Sequence, residues 1–168
     1  DNPSAIELLR KIKGKKEPIL VLVSEIEMAK KYVRVDEKAK RLISHFWPGA
    51  LTLVLPAIAG KAEELRAGSS GLGIRQSSDA FAQALVKKLG APITSTSANR
   101  SGQKPLANGE QIEKELGQEL DLIVDAGERV GLASTVVDLT GAELRLIRSG
   151  AIDFEEVKKI YYGENSTL

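Results

Sequence analysis

Hydroxyl and amide side chains are concentrated in one short stretch of this sequence, PITSTSANRSG, at residues 92–102. Six of its eleven residues carry such groups, namely Thr94, Ser95, Thr96, Ser97, Asn99 and Ser101. No carboxylate, histidine or cysteine accompanies them. These residue types commonly form turns and caps, but a cluster of them after a strand can also hold an anion or a polar ligand without titrating. Both interpretations, an ordinary loop and a ligand site, remain open at this level.

Cationic side chains occupy other positions suited to anion binding. Arg75 ends the segment GLGIR, and Arg148 ends the last predicted strand, just before a Ser-Gly pair. Four lysines surround Gly14, namely Lys11, Lys13, Lys15 and Lys16. Each cation could simply be solvated at the end of an element, where lysine also suits a helix dipole. Arginine, however, is the side chain best suited to a bidentate contact with a carboxylate or a phosphate.

Composition excludes several kinds of chemistry. The 168 residues include no cysteine, so disulfides, thiolate metal sites and cysteine nucleophiles are excluded. The single histidine, His45, precludes a site with several histidine ligands, and its place beside Phe46 and Trp47 indicates a structural role. Ser97 has no histidine partner marked by the sequence, and no catalytic pair of carboxylates stands out. What remains is a site of hydroxyls, amides and cations, without a protein nucleophile or a metal, that binds and orients anionic substrates.

Charge and hydropathy narrow the class of protein. The net charge is +1, so a basic total cannot argue for nucleic-acid binding, and any anion site must come from the local arrangement of charge. No apolar run approaches the roughly 20 residues that a membrane helix needs. The N-terminus shows no basic segment followed by an apolar one, which would mark a signal peptide. We therefore expect a cytoplasmic protein that does not associate with membranes.

The pattern of apolar and polar segments predicts an α/β fold. Helices are predicted to begin after Asn2, Ser24, Asp36, Asp79, Asn108 and Asp153. At Ser24, Glu27 completes a capping box. Strands are predicted at 18–23, 51–56, 72–76, 92–96 and 122–127, followed by a hairpin over 134–148. Strands and helices alternate before the late hairpin, so the sequence predicts one domain with a twisted mixed sheet and flanking helices.

Five segments together carry a family resemblance: WPGALTLVLP, GLGIR, PITSTSANRSG, STVVDL and IRSGAI. Their order and spacing resemble the YrdC family in its short form, the threonylcarbamoyl-AMP synthases, over essentially the whole chain, residues 1–168. The resemblance implies a single YrdC-like domain with a large concave ligand cleft. It also implies an enzyme, a nucleotidyltransferase that combines L-threonine, bicarbonate and ATP, with Mg²⁺, into threonylcarbamoyl-AMP and pyrophosphate. Separate threonylcarbamoyl transferase proteins then modify position 37 of tRNA.

The resemblance also assigns roles to individual residues. The implied ATP-binding residues are Lys13, Lys15, Ser97, Asn99 and Arg148. The implied threonine-binding residues are Arg75, Ser95 and Ser134. Four cations would act electrostatically, namely Lys13, Lys15, Arg75 and Arg148. We expect these strand-end alcohols and guanidinium groups to converge on one hollow that binds the nucleotide and the amino acid together.

The sequence departs from the family pattern in places. Lys15 stands where the family usually has arginine, so the planar guanidinium fork is lost there. KPLAN follows Ser101-Gly102 where the family often has Ser-Pro-Thr. The family's opening strand and its Pro-Thr-x-Thr-x-Tyr-Gly motif do not occur in this sequence. That motif closes one wall of the family's pocket, and whether it is truncated, disordered or truly absent stays open at this level.

Two other functions stay open. The first is a YrdC-like module that binds RNA, including tRNA, without its own catalysis, which the near-zero net charge and the 4% aromatic content disfavour. The second is the YrdC-like domain of the HypF carbamoyltransferases, which uses a carbamoyl group instead of threonine. HypF proteins carry a zinc-finger region as well, and the absence of cysteine excludes that region here.

Overall fold

The computed structural model of the chain describes residues 2–14, 16–128 and 131–163. The chain divides into two compact units, and each is described by itself. The first unit comprises Asp1–Glu17 and Thr96–Gly131, and the second comprises Pro18–Ser95 and Leu132–Leu168. The backbone passes from the second unit to the first between Ser95 and Thr96, in the middle of the polar stretch.

Within the described residues, seven α-helices form, most of them at the predicted starts. They are α1 (Pro3–Lys13), α2 (Ile26–Ala29), α3 (Glu37–Phe46), α4 (Glu63–Arg66), α5 (Ala80–Leu89), α6 (Gly109–Leu116) and α7 (Phe154–Tyr162). A 3₁₀ turn, Gly117–Glu119, follows α6. Five predicted N-caps are confirmed, because the side chain of each accepts a hydrogen bond from a backbone N–H of the first turn: Asn2, Asp36, Asp79, Asn108 and Asp153.

The predicted capping box at Ser24 is wrong. Helix α2 begins at Ile26, and its N-cap residue, Glu25, makes no side-chain capping bond. The hydroxyl of Ser24 lies 3.9 Å from the sulfur of Met28 instead. Glu27 pairs with Lys30 at 2.6 Å along the helix surface, so its carboxylate points away from the helix start.

The second unit is built on a mixed sheet, as the sequence predicts. In the described residues its six strands are β1 (Leu20–Leu22), β2 (Leu51–Pro56), β3 (Gly71–Arg75), β4 (Ile93–Ser95), β5 (Thr135–Asp138) and β6 (Arg145–Arg148). Their order in space is β4-β1-β3-β2-β5-β6. The pairs β1/β3 and β2/β5 are parallel, and the other three pairs are antiparallel. The predicted late hairpin is confirmed as β5 and β6.

One predicted strand, at 122–127, does not form. The segment joins no ladder among the described residues, and Leu122 and Val124 are 78% and 57% exposed. A strand needs a partner for its backbone groups, and an apolar sequence alone does not supply one. The backbone turns instead, because the carboxylate of Asp125 accepts a hydrogen bond from the N–H of Gly127 at 2.9 Å.

The two faces of the sheet differ in character. On one face, alternate residues of β2 and β3 form the core: Leu51, Leu53, Leu55, Leu72 and Ile74 are each at most 1% exposed. Helices α3 and α7 pack against each other, and they bury Leu42 and Val157 completely. Since side chains alternate along a strand, the neighbours of these leucines point to the opposite face. That opposite face carries most of the predicted site residues of the second unit.

Candidate functional site

The strand register brings the predicted threonine-binding residues of the second unit to one face of the sheet. Leu22 of β1 pairs with Arg75 of β3, and Leu20 pairs with Ser95 of β4. Paired residues lie on the same face, and so do residues two apart on one strand. Arg75 and Ser95 therefore share the face opposite the leucine core, and both are half-buried.

The same register places Arg148 on that face. Leu53 of β2 pairs with Ile74 on the core face, so Thr52 points to the opposite face, together with Arg75. Thr52 pairs with Val136 of β5, and Val136 pairs with Arg148 of β6. We call Thr52, Arg75, Ser134 and Arg148 the arginine cluster.

Ser134 joins the arginine cluster through hydrogen bonds. Its hydroxyl lies 2.8 Å from the hydroxyl of Thr52. The guanidinium of Arg148 donates to the Ser134 carbonyl oxygen from Nε at 3.2 Å and from Nη2 at 2.9 Å, and Nη2 is also 3.1 Å from the Ser134 hydroxyl oxygen. Ser134 is only 7% exposed. Because two neighbours fix it, its hydroxyl is held in one place.

A glycine makes the approach of Arg148 to Ser134 possible. A Cβ atom on Gly150 would lie 2.3 Å from the carbonyl oxygen of Ala133 and 2.4 Å from the backbone nitrogen of Thr135. No side chain fits at such distances, so the backbone after β6 can lie against the backbone around Ser134 only with glycine there. The N–H of Ala151 then donates to the carbonyl oxygen of Ala133 at 2.9 Å.

Arg75 is a half-buried cation, and within the described residues its guanidinium has no hydrogen-bond partner. Burial lowers the pKa of Arg75 from its ordinary value, and the positive charge of Arg148 lowers it further. Two guanidinium groups that repel each other in a partly desolvated position create a local positive potential. An anionic ligand would relieve that repulsion, so the arginine cluster is suited to a carboxylate or a phosphate.

The first unit holds a second group of predicted site residues, Lys13, Ser97 and Asn99, which we call the lysine cluster. The Lys13 ammonium donates to the carbonyl oxygens of Ser97 and Asn99 at 2.9 and 2.7 Å, and to the side-chain oxygen of Asn99 at 2.6 Å. The Ser97 hydroxyl donates to the same Asn99 oxygen at 2.5 Å. Three sequence-predicted ATP-binding residues are therefore brought together.

Helix α1 and the polar stretch position the lysine cluster. Lys13 is the last residue of α1, and its carbonyl oxygen accepts a hydrogen bond from the N–H of Ser101 at 3.0 Å. Asn99 is 8% exposed, and its amide nitrogen donates to the carbonyl oxygen of Gln103 at 2.6 Å. Burial lowers the pKa of Lys13, although the charge of Glu17 opposes this shift. The cluster thus gathers one ammonium group and one hydroxyl whose hydrogens are directed at oxygens of Ser97 and Asn99, so an anion that binds there would have to replace some of these bonds.

Two further residues named from the sequence are Lys15 and His45. Lys15 lies outside the described residues. His45 lies 3.8 Å from the Glu156 carboxylate, and its ring contacts the ring of Phe46 edge-on. In the described ranges, no group of three metal-ligating side chains occurs. Nor does any helix of those ranges have the length and apolar character required to cross a membrane.

Sequence reasoning missed two contributors, Thr52 and Gly150. Thr52 carries the one hydroxyl in the otherwise apolar strand LTLVLP, which is a usable signal because a buried hydroxyl needs a partner. In the sequence, Gly150 is marked only by its place in the Ser-Gly pair after Arg148. Its steric role depends on which backbone lies beside it, and no local pattern reveals that.

A mixed α/β sheet with cations and hydroxyls on one face defines the class: an α/β domain with a sheet face suited to anionic ligands. The family model for Sua5, YciO and YrdC, described as "Telomere recombination", matches residues 1–150. The chain therefore belongs to the Sua5/YciO/YrdC family, as the sequence motifs imply.

Individual relatives agree with this family assignment. The chain is 32% identical over 164 residues to the threonylcarbamoyl-AMP synthase of Bacillus subtilis, an alignment that covers 95% of the chain and 47% of that protein. Sua5 of Pyrococcus abyssi complexed with L-threonine is a similar solved structure, with a TM-score of 0.87, 29% identity and coverage of 94% of this chain and 47% of that one. Escherichia coli YciO has a TM-score of 0.82 at 28% identity, with coverage of 90% and 76%.

These alignments also show what share of each relative's length the chain covers. The chain spans about half the length of the first two curated relatives that it matches, 47% in each case. The fold prediction is confirmed by the Sua5 and YciO structures, which share the mixed sheet and its flanking helices.

Proposed function

We propose that the chain carries the catalytic site of an L-threonylcarbamoyladenylate synthase, which makes threonylcarbamoyl-AMP and pyrophosphate from L-threonine, bicarbonate and ATP. The observation that carries this proposal is the half-buried Arg75, which shares one face of the sheet with Arg148, so that two cations face the same side and can serve two anionic ligands. The family assignment supports it, because similar proteins are named threonylcarbamoyl-AMP synthase and one solved relative is complexed with L-threonine. The same names favour a synthase over a module that only binds RNA.

In the proposed reaction, the amine of threonine attacks CO₂ derived from bicarbonate and loses a proton, which gives a carbamate. A carbamate oxygen then attacks the α-phosphorus of ATP, and the bond to the pyrophosphate oxygen breaks. Both reactants of the second step are anions, so the protein must align them and offset their repulsion. No protein nucleophile is required, which fits a site of cations and neutral hydroxyls.

The residues divide between the two ligands. We assign Arg75, Ser95 and Ser134 to threonine, with Arg75 on its carboxylate. We assign Lys13, Ser97 and Asn99 to ATP, together with Arg148. Lys15 lies outside the described residues and keeps its sequence-based assignment to ATP. The lysine cluster is assembled around one ammonium group, and a phosphate that binds there would replace part of the hydrogen bonds that Lys13 donates to Ser97 and Asn99.

Mg²⁺ enters this proposal as part of the substrate, bound to the phosphates of ATP. The residues that we assign to ATP are cationic or neutral, and such a set suits a phosphate group better than a bare cation. When bound, the ion supplies charge neutralisation at the phosphates. The protein residues bind and orient the nucleotide, and downstream transferases in the cytoplasm would pass the threonylcarbamoyl group to tRNA.

The test is a direct assay of the product. The purified chain is incubated with ATP, Mg²⁺, bicarbonate and L-threonine, and threonylcarbamoyl-AMP is measured by mass spectrometry together with pyrophosphate. We expect both products in equal amounts, and neither when threonine is omitted. Pyrophosphate release that does not depend on threonine, or no binding of threonine and ATP, would contradict the proposal. In the same preparation, tRNA binding with a steep salt dependence and no effect of threonine would favour the RNA-binding alternative.

A further inference from the structure

Thr52 is a fully buried residue that points to the face of the sheet bearing the proposed threonine site. It is 0% exposed, and its hydroxyl lies 2.8 Å from that of Ser134. Its methyl group faces β3, where it is 3.8 Å from the position that a Cβ atom on Gly73 would occupy. Because threonine is branched at Cβ, few side-chain torsions are open to it, and the hydrogen bond to Ser134 favours one of them.

The hydrogen positions around Ser134 follow from counting donors and acceptors. The Ser134 hydroxyl oxygen has two acceptor sites and one hydrogen, and Arg148 Nη2 fills one acceptor site at 3.1 Å. Among the described residues, the Thr52 hydroxyl has Ser134 as its one hydrogen-bond partner. If Ser134 donated to Thr52, the hydrogen of the buried Thr52 hydroxyl would have no acceptor there, which is unfavourable. The satisfied arrangement has Thr52 donate to Ser134.

That arrangement leaves Ser134 as a donor only. Both acceptor sites are then filled, by Thr52 and by Arg148, and the Ser134 hydrogen is directed to a third position. A hydroxyl in this state can donate to a carboxylate oxygen but cannot accept from an ammonium group. The neighbouring charges of Arg75 and Arg148 favour the same end of an amino acid.

We propose that Thr52 is a positioning residue that fixes the Ser134 hydroxyl as a hydrogen-bond donor to the carboxylate of the bound amino acid. This inference rests on the proposed function, which supplies threonine as the ligand. The consequence is a fixed orientation of the bound threonine. Its carboxylate lies at Ser134, and its amine, which becomes the carbamate, must lie elsewhere. Thr52 touches no substrate atom in this scheme and acts through Ser134.

The experiment compares two substitutions at this position. Thr52→Val removes the hydroxyl and keeps the shape, whereas Thr52→Ser keeps the hydroxyl. Affinities for L-threonine, L-threoninamide and ATP are measured separately by calorimetry on the intact chain. We expect Thr52→Val to weaken L-threonine binding about 5- to 10-fold, as for one lost hydrogen bond. Thr52→Ser, which keeps the hydroxyl, should bind L-threonine within about twofold of the wild-type affinity. The affinity of Thr52→Val for L-threoninamide, which lacks the carboxylate charge, should fall much less, and its affinity for ATP should not change.

Thr135→Val is the matched control. Thr135 is also fully buried, but its hydroxyl donates to the carbonyl oxygen of Ile152 at 2.6 Å and not to Ser134. We expect this variant to keep its threonine affinity. In a Ser134→Ala background, Thr52→Val should cause no further loss, because the two hydroxyls act as one unit. Should Thr52→Val fail to fold by circular dichroism, Thr52→Ala removes the same hydroxyl and takes its place.

The outcomes separate the inference from the function on which it rests. Unchanged threonine affinity in a folded Thr52→Val variant overturns the inference and leaves the proposed function standing. An equal loss of threonine affinity in Thr135→Val also overturns the inference. So does a full further loss of affinity when Thr52→Val is added to Ser134→Ala, because in either case the effect would be structural. Wild-type protein that binds neither threonine nor ATP overturns the proposed function and the inference with it.

Discussion

Arg148 donates two hydrogen bonds to a single atom, the carbonyl oxygen of Ser134, from Nε at 3.2 Å and from Nη2 at 2.9 Å. A carbonyl oxygen carries no net charge, so these bonds orient the guanidinium without neutralising it. The full positive charge therefore remains for an anionic ligand. This explains how an arginine at the edge of a sheet can be fixed in position and still serve as a binding group.

We predict that Arg148→Ala weakens ATP binding by about 1.5–3 kcal/mol, the scale of one lost hydrogen bond to a charged group. Calorimetric titration with ATP measures this change. Arg145→Ala is the control, since Arg145 lies on the same strand but pairs with the carboxylate of Asp138. It should leave ATP affinity within about twofold. Unchanged ATP affinity in Arg148→Ala would refute the assignment.

We predict that Arg75→Ala impairs threonine binding more than ATP binding. Arg75 has no hydrogen-bond partner within the described residues, so its removal leaves no protein group unpaired, and the loss measured is that of the ligand contact. The affinities for both ligands are measured on the same preparation. Arg34→Ala removes the same charge from an exposed position and serves as the control. Equal losses for threonine and ATP would show that the role of Arg75 is misassigned.

The parts of the fold that local sequence determines were predicted well. The N-caps at Asp36, Asp79 and Asp153 were predicted because a cap depends on residues three positions apart. The buried strands were predicted because their apolar runs are continuous. Residues 122–127 begin with a similar apolar run, Leu-Ile-Val, yet no strand pairs with them among the described residues, and pairing is not encoded locally.

The residue types of the candidate site were predictable from the sequence, but the residues that hold the site residues in position were not. Arginines and hydroxyls at strand ends pointed to an anion site, and the family motifs named individual residues. Thr52 and Ser134 lie 82 positions apart, so only the sheet register reveals that their hydroxyls meet. The same is true of Gly150, whose lack of a side chain matters because the backbone of Ala133 and Thr135 lies against it.

We predict that Asn99→Ala disrupts the lysine cluster. The side-chain oxygen of Asn99 accepts hydrogen bonds from both Lys13 and Ser97, so its loss leaves two donors without this partner. Leaving polar groups unpaired costs about 1–3 kcal/mol, and we expect ATP affinity and the free energy of unfolding both to fall. Gln103→Ala is the control, because Gln103 contributes its backbone carbonyl to the cluster and its side chain is exposed. An Asn99→Ala variant with wild-type ATP affinity would contradict the prediction.

We predict that Gly150→Ala destabilises the second unit. The added methyl group would lie 2.3 Å from the Ala133 carbonyl oxygen, so the backbone must shift, and overpacking of this kind costs about 1–3 kcal/mol. Urea unfolding measures the loss. Gly141→Ala is the matched control, since a Cβ atom there meets nothing within 4 Å. If the two variants had equal stability, the close approach at Gly150 would not be significant.

We predict that Asp138 makes stability depend on acid pH. Burial alone would raise the pKa of Asp138, but hydrogen bonds from Thr140 and Arg145, with the Arg145 charge, hold it below its ordinary value. A folded-state pKa below the unfolded one adds stability above the ordinary aspartate pKa of about 3.9, and this is lost as pH falls through the folded-state pKa. The free energy of unfolding, measured with urea at neutral and at acid pH, should differ less between the two pH values for Asp138→Asn than for wild type. Asp121→Asn, at an exposed position, should keep the wild-type difference, and an equally steep acid loss in Asp138→Asn would contradict the prediction.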